Sequence, residues 1–133
     1  MVSVAYGSAA LFTASDTTHE YVGGLSIPAT QNVAAAGIAL AASETYTARG
    51  NRSNSPSFTV RRAFATVEAA ELFCHDHLAT LPTSGDLVFT YAASVVRRYA
   101  GACLTNLSAQ QSPSNGRIVS LTYQFAAGVV ATS

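Results

Sequence analysis

The chain has 133 residues, formal net charge zero, 11% charged residues and 49% hydrophobic residues. That length suits one domain able to bury a core without metal or disulfide staples. The basic residues are all arginine and are balanced by acids, so no global basic field draws nucleic acid. Zero net charge and a weakly polar, Ala/Ser/Thr-rich surface fit a protein that packs against copies of itself, and fit equally well a monomer from a genome with biased codon usage.

Met1 to Gly7 has no basic stretch leading into a long apolar run, which argues against a secretory signal. Val2 to Tyr6 alternates weakly and Leu11-Phe12 is a short apolar pair. Tyr21 to Pro28 reads as a turn and a short strand stopped by proline. Val33 to Ala42 fits strand or helix and is too short to span a bilayer. Thr45-Tyr46-Thr47 has β propensity. Arg49 to Ser57 is rich in turn formers and has no apolar anchor. It is predicted to be a polar loop over about 49–57, either a hairpin tip or an arm that orders on a neighbour.

The second half is more regular. Phe58, Val60, Arg62 and Phe64 alternate with Thr59, Arg61 and Ala63, predicting a strand. Thr66 has the chemistry of an N-cap and Glu68 suits the first turn of a helix running to about Ala79. Val67, Ala70, Cys74, Leu78 and Leu81 recur at helical spacing and are expected to form its packed face, with Pro82 beyond the end. Leu87 to Tyr91 and Arg97 to Leu107 are predicted strands, the latter weakened by Gly101. Ser112 to Gly116 carries an Asn-Gly turn signal. In the strand that follows, Val119, Leu121, Tyr123 and Phe125 share one face. Several strands, one helix and three or four further strands predict an α+β, β-rich fold: an antiparallel sandwich or small barrel with one flanking helix, forming a single domain over residues 1–133.

No motif for catalysis emerges. Cys74-His75-Asp76-His77 holds metal-ligating residue types, but helical neighbours point about 100° apart, so only Cys74 and His77 converge. Cys74 is expected in the core, with His75 and Asp76 on the solvent side. Cys103 is expected to be packed within its strand, and the two cysteines make no disulfide framework. Glu68 and Glu71 are read as solvated. The chain has no nucleophile elbow, phosphate loop or dinucleotide fingerprint. These readings predict no enzyme, no cofactor and no metal site.

Arg61-Arg62 and Arg97-Arg98 are double-arginine steps inside predicted strands. Adjacent strand residues face opposite sides. One arginine of each pair must therefore point inward or onto a partner, or else the strand is an edge blocked by charge.

Phe58 to Arg62, the run Ala65-Thr66-Val67-Glu68-Ala69-Ala70, His77, Leu81-Pro82, Arg98-Tyr99-Ala100 and Leu121 to Phe125 carry a resemblance. The stretch from about Arg49 to Gly128 resembles small tail structural proteins of tailed bacteriophages and prophages, of the tail-tube or distal-tail kind. The resemblance implies a structural subunit that self-assembles into rings or a tube, found in the virion and made in the bacterial host cytoplasm. Its partners would be copies of itself and other virion structural proteins, with no membrane and no sequence-specific nucleic acid. Arg49, Asn51, Arg52, Arg61, Arg97 and Arg98 become candidate inter-subunit contacts, the first three on the arm. The alternative is a monomeric binding module for a peptide or glycan, which calls for a concave aromatic patch.

Overall fold

The computed structural model describes residues 1–36, 45–127 and 130–132. Its elements are β1 (Ser3–Tyr6), β2 (Ala9–Thr13), β3 (His19–Ser26), β4 (Ala29–Ala36), β5 (Thr45–Asn54), β6 (Ser57–Ala63), α1 (Val67–Thr80), β7 (Gly85–Ala92), β8 (Val95–Gln111), β9 (Ile118–Ala126) and β10 (Val130–Thr132). The strands pair antiparallel in the order β2-β1-β7-β8-β9-β6-β3, with β10 on β8, while β4 and β5 form a separate two-stranded sheet. The β-rich α+β architecture predicted from the sequence is the one observed.

The 17-residue strand β8 organises the body. Its first half pairs with β7 and its second half with β9. Gly101, at φ +63, sits where the strand passes from one half to the other. A side chain there would be strained, so glycine permits the bend that a regular strand lacks. The bend turns the two halves face to face. Phe58 of β6 meets Phe89 of β7 edge-on at 5.5 Å, and Tyr6 of β1 meets Phe125 of β9 at 4.9 Å. On the other side β2 and β3 approach through Phe12 and Tyr21, with ring centroids 5.5 Å apart.

Period-two alternation builds this core. Val119, Leu121, Tyr123 and Phe125 are all buried, as are Phe58 and Val60 on the neighbouring strand. The register Phe58↔Tyr123 and Val60↔Leu121 lays these residues side by side. At the start of β7, a Cβ on Gly85 would lie 3.0 Å from the Gly7 Cα, so the two backbones meet at a spacing that excludes a side chain.

The helix starts where the sequence places it. Thr66 Oγ1 accepts from the Ala69 N–H at 3.1 Å, and the Leu81 N–H closes the last turn on the Leu78 carbonyl at 3.2 Å. α1 packs on β8 and β9. Its packed face differs from the expected one: Ala70 and His77 are buried, Phe73 and Cys74 are half-buried, and Val67 and Leu78 are exposed. The face is rotated because an aromatic and a histidine, rather than the aliphatic residues alone, fill the space over Tyr123 and Arg62.

Three further expectations need correcting. Residues 49–54 of the expected polar loop are strand, paired with β4 from Ala29↔Asn54 to Ala36↔Thr45, and Ser55-Pro56 alone separate β5 from β6. Polar side chains without an apolar face are compatible with a two-stranded ribbon, because each strand satisfies the other's backbone. Val33 to Ala36 belong to β4, and the rest of the 33–42 stretch lies outside the described residues. Cys103 is exposed rather than packed: it faces away from its neighbours Ala102, which is buried, and Leu104, which packs on the core. Nor does either double arginine lie on an edge: β6 runs between β9 and β3, and β8 is flanked by β7 and β10 in its first half.

Candidate assembly surfaces and the buried polar cluster

Two features stand out from the body: a projecting hairpin and a polar cluster under the helix. The hairpin, β4 and β5, leaves the body between Ser26 and Ser57. Its base is pinned by Asn54 and Ala127, which exchange backbone hydrogen bonds of 2.9 Å, and by the Ser55 N–H donating to the Pro28 carbonyl at 2.9 Å. Beyond this base, β4 and β5 pair with each other. Arg49, Asn51 and Arg52 lie on β5 of this arm.

The other candidate contacts are spread over the body. Arg61 stands on the outer face of β6 with Nη1 3.3 Å from Glu20 Oε2 on β3. Arg98 is exposed on β8, while Arg97 is half-buried and donates from Nη1 to the Val96 carbonyl at 3.2 Å. The structure therefore groups Arg49, Asn51 and Arg52 on one element and leaves Arg61, Arg97 and Arg98 apart from them.

The outer face of β8, β9, β6 and β3 is a sheet of small polar residues. One row across it reads Ser108, Thr122 and Thr59; the next reads Gln110, Ser120, Arg61 and Glu20. Thr59 and Thr122 bring their hydroxyls to 3.2 Å. The Arg61–Glu20 pair is solvent-exposed, so it adds little stability.

Inside, Arg62 takes the opposite face from Arg61. Its guanidinium lies 4.6 Å from the Phe73 ring centroid and 5.6 Å from that of Phe64. This cation–π placement holds the charge against the helix. His77 stacks on Phe73 at 4.3 Å, and its Nε2 shares a 2.8 Å hydrogen bond with the buried Tyr123 hydroxyl. Burial, and secondarily the Arg62 charge, disfavours the imidazolium and lowers the His77 pKa to about 4. Burial likewise raises the Tyr123 pKa, so the pair is neutral at pH 7. Across β3, the Thr13 N–H donates to His19 Nδ1 at 3.3 Å, and His19 Nε2 lies 3.6 Å from Asp16 Oδ2. Asp16 is itself held below the usual carboxylate range by the Thr18 hydroxyl and N–H.

The alternation of Phe58, Val60 and Arg62 already marks Arg62 as the inward arginine. The His77–Tyr123 bond has no such local signal, because its partners are 46 residues apart.

Open hollows mark the surface of the described residues. One of about 420 Å³ is lined by Arg61, Gln110, Ser112, Asn115 and Ser120. A second, of about 430 Å³, gathers Phe89, Tyr91, Tyr99 and Arg97 with Ile27 and Val95. A third, of about 330 Å³, lies at the arm base among Pro28, Ser55, Thr105 and Gln124. These linings contain no histidine, cysteine or carboxylate, and no group of three metal-ligating side chains occurs among the described residues. Cys74 is half-buried, and burial together with Glu71 raises its thiol pKa, which opposes nucleophilic use.

No family model and no curated protein matches the sequence. Among solved structures, a chain in the tail of an empty GTA particle with C6 symmetry is similar over 85% of this chain and 82% of its own, at TM-score 0.51 and 11% identity. A chain in the tube-terminating cap of the anti-feeding prophage aligns over 98% of this chain and 86% of its own, at TM-score 0.44 and 14% identity. The likeness to the GTA tail chain, at that identity, is one of fold: this chain shares its strand-rich architecture.

Proposed function

We propose that the chain is a structural subunit of a phage or prophage-derived tail and acts by self-assembly into rings or a tube. The observation that carries this reading is the β4–β5 arm, a hairpin that projects from a body whose fold is similar to that of a GTA tail chain. A two-stranded ribbon is marginal in water by itself. An arm of this kind gains stability by packing on another surface, and a neighbouring copy supplies one. Contacts between different surfaces of identical subunits close into rings when the rotation closes and otherwise extend. Arg49, Asn51 and Arg52 would lie in that contact, and the partners would be copies of this chain and other virion proteins. The virion is then its place of work, after synthesis in the host cytoplasm.

Negative-stain electron microscopy of the purified chain across a concentration series tests this. Rings or tubes with a central channel are expected; a monomer at every concentration contradicts it. A second reading, a monomeric binding module, draws on the hollow that brings Tyr91 and Tyr99 beside Phe89. Saturable binding of a peptide or glycan to a stable monomer would select it.

A further inference from the structure

The core-facing side of β7 and β8 continues past the core into solvent. Phe89 and Tyr99 are buried there, with their rings edge-on at 6.0 Å. Towards the Ala93-Ser94 turn, Tyr91 follows on β7 and Arg97 and Val95 lie beyond Tyr99 on β8. These five residues and Ile27, just past the end of β3, line the open hollow of about 430 Å³, and all of them are described residues. Tyr91, Val95 and Ile27 are 39%, 37% and 41% exposed, so three of the eight exposed large hydrophobic residues described border this one hollow. Apolar groups gathered in this way are the surface signature of a binding site, whereas scattered ones are not. The volume lies in the range of about 300–1,000 Å³ usual for small-ligand sites.

Arg97 is the only charged residue in the lining. It stands opposite the buried Phe89 in the β7–β8 register, which puts it on the core side and the exposed Arg98 on the other. It is half-buried, and its hydrogen bond runs from Nη1 to the carbonyl of the adjacent Val96 at 3.2 Å. The ion pairs among the described residues are Asp16–His19 and Glu20–Arg61, and the guanidinium placed over rings is that of Arg62. Arg97 thus has neither a carboxylate nor a ring to hold it, and most of its N–H donors are uncommitted. A planar carboxylate matches that fork with two parallel hydrogen bonds.

The rest of the lining sets the body of the ligand. Ile27, Phe89 and Val95 offer no polar side-chain atom, and Tyr91 and Tyr99 offer one hydroxyl each. A sugar or a peptide main chain buried here would forfeit hydrogen bonds to water that so few groups cannot replace. Burial, and secondarily the neighbouring Tyr91, raises the Tyr99 pKa, so this ring stays a neutral phenol at pH 7 and does not oppose an anion.

We propose that this hollow binds a small organic monocarboxylate with an aromatic or branched apolar body, the body against Phe89, Tyr91 and Tyr99 and the carboxylate on Arg97. The site belongs to the body of the chain, so it goes beyond the self-assembly reading and does not depend on it.

The probe is phenylacetate, titrated against the full chain and read by saturation-transfer NMR, which reports binding to a monomer and to an assembly alike. Saturation with a dissociation constant of about 1 mM is expected. Phenylacetamide lacks the charge and acetate lacks the ring, and each should bind about tenfold more weakly or less. Arg97→Gln should weaken phenylacetate by about tenfold while leaving phenylacetamide unchanged, a split that general loss of structure would not give. Tyr91→Ala should weaken both, and Arg98→Gln, on the opposite face of β8, neither. Equal binding of phenylacetate and phenylacetamide by the unaltered chain overturns the proposal, and that comparison needs no variant to fold. Undiminished phenylacetate binding by Arg97→Gln overturns it as well. The peptide Gly-Gly-Phe with a free carboxylate completes the series: binding tighter than that of phenylacetate would mean that the site reads a peptide main chain, which overturns the small-molecule assignment. No outcome requires rings or tubes, so failure here and failure of the self-assembly reading are distinguishable.

Discussion

Replacing Tyr123 with phenylalanine removes one oxygen from the core and tests how the helix is held. The Tyr123 hydroxyl is the hydrogen-bond partner of His77 Nε2 at 2.8 Å, and both residues are buried. Tyr123→Phe keeps the ring that packs on Phe58 and leaves a buried imidazole nitrogen unsatisfied. Such an orphan costs about 1–3 kcal/mol. For a chain of this size the melting temperature falls about 4 °C per kcal/mol, so a loss of about 4–12 °C is expected at pH 7. His77→Leu with Tyr123→Phe removes both polar groups, and the double variant should be destabilised less than the sum of the two singles. The same pair predicts a pH dependence. The folded-state pKa of His77, about 4, is below the ordinary 6.5, so the unfolded chain binds the extra proton first as pH falls. His77 therefore contributes no penalty above pH 6.5, and stability falls from 6.5 towards 4. With about 1.4 kcal/mol per unit and allowance for screening near the surface, the loss is about 2 kcal/mol. Differential scanning fluorimetry from pH 7 to 4 measures it, and His77→Leu should remove this component. An unchanged melting temperature for Tyr123→Phe, or an acid profile identical with and without His77, would refute the reasoning.

Other perturbations follow from the same geometry. Gly85→Ala places a methyl group against the Gly7 backbone, 3.0 Å from its Cα, and should cost about 1–3 kcal/mol by overpacking, read as a lower urea midpoint. Arg61→Ala loses only an exposed ion pair with Glu20, so its melting temperature should stay within about 4 °C, equivalent to at most 1 kcal/mol. A thiol reagent followed by mass spectrometry should modify the exposed Cys103 well before Cys74, whose half-buried thiol has a raised pKa; equal rates would contradict the packing under α1.

The second half of the fold was legible because its strands bury one face against a core, which imposes clean alternation on Val119 to Phe125 and on Phe58 to Arg62. The capping chemistry of Thr66 likewise marked the helix start, since the cap is a local interaction. The packed face of α1 was misread because hydrophobicity alone ranks Leu78 above His77. The core selected His77 for a hydrogen bond to a residue on β9, a long-range contact with no trace in helical periodicity. Residues 49–54 of the arm read as a loop for the opposite reason. β4 and β5 have few large apolar residues, so the period-two pattern that reveals a core strand is missing while the backbone ladder remains. Of the candidate contacts, Arg49, Asn51 and Arg52 were singled out through the polar stretch they occupy. Their placement on a projecting ribbon came from the pairing of β4 with β5.

The most direct test images the full chain beside a version in which residues 30–53 are replaced by a short Gly-Ser turn, both at the same series of concentrations by negative-stain electron microscopy. The account predicts rings or tubes with a central channel from the full chain and folded monomers from the shortened one. Assemblies that form equally well without the arm, or a full chain that stays monomeric throughout, would contradict it.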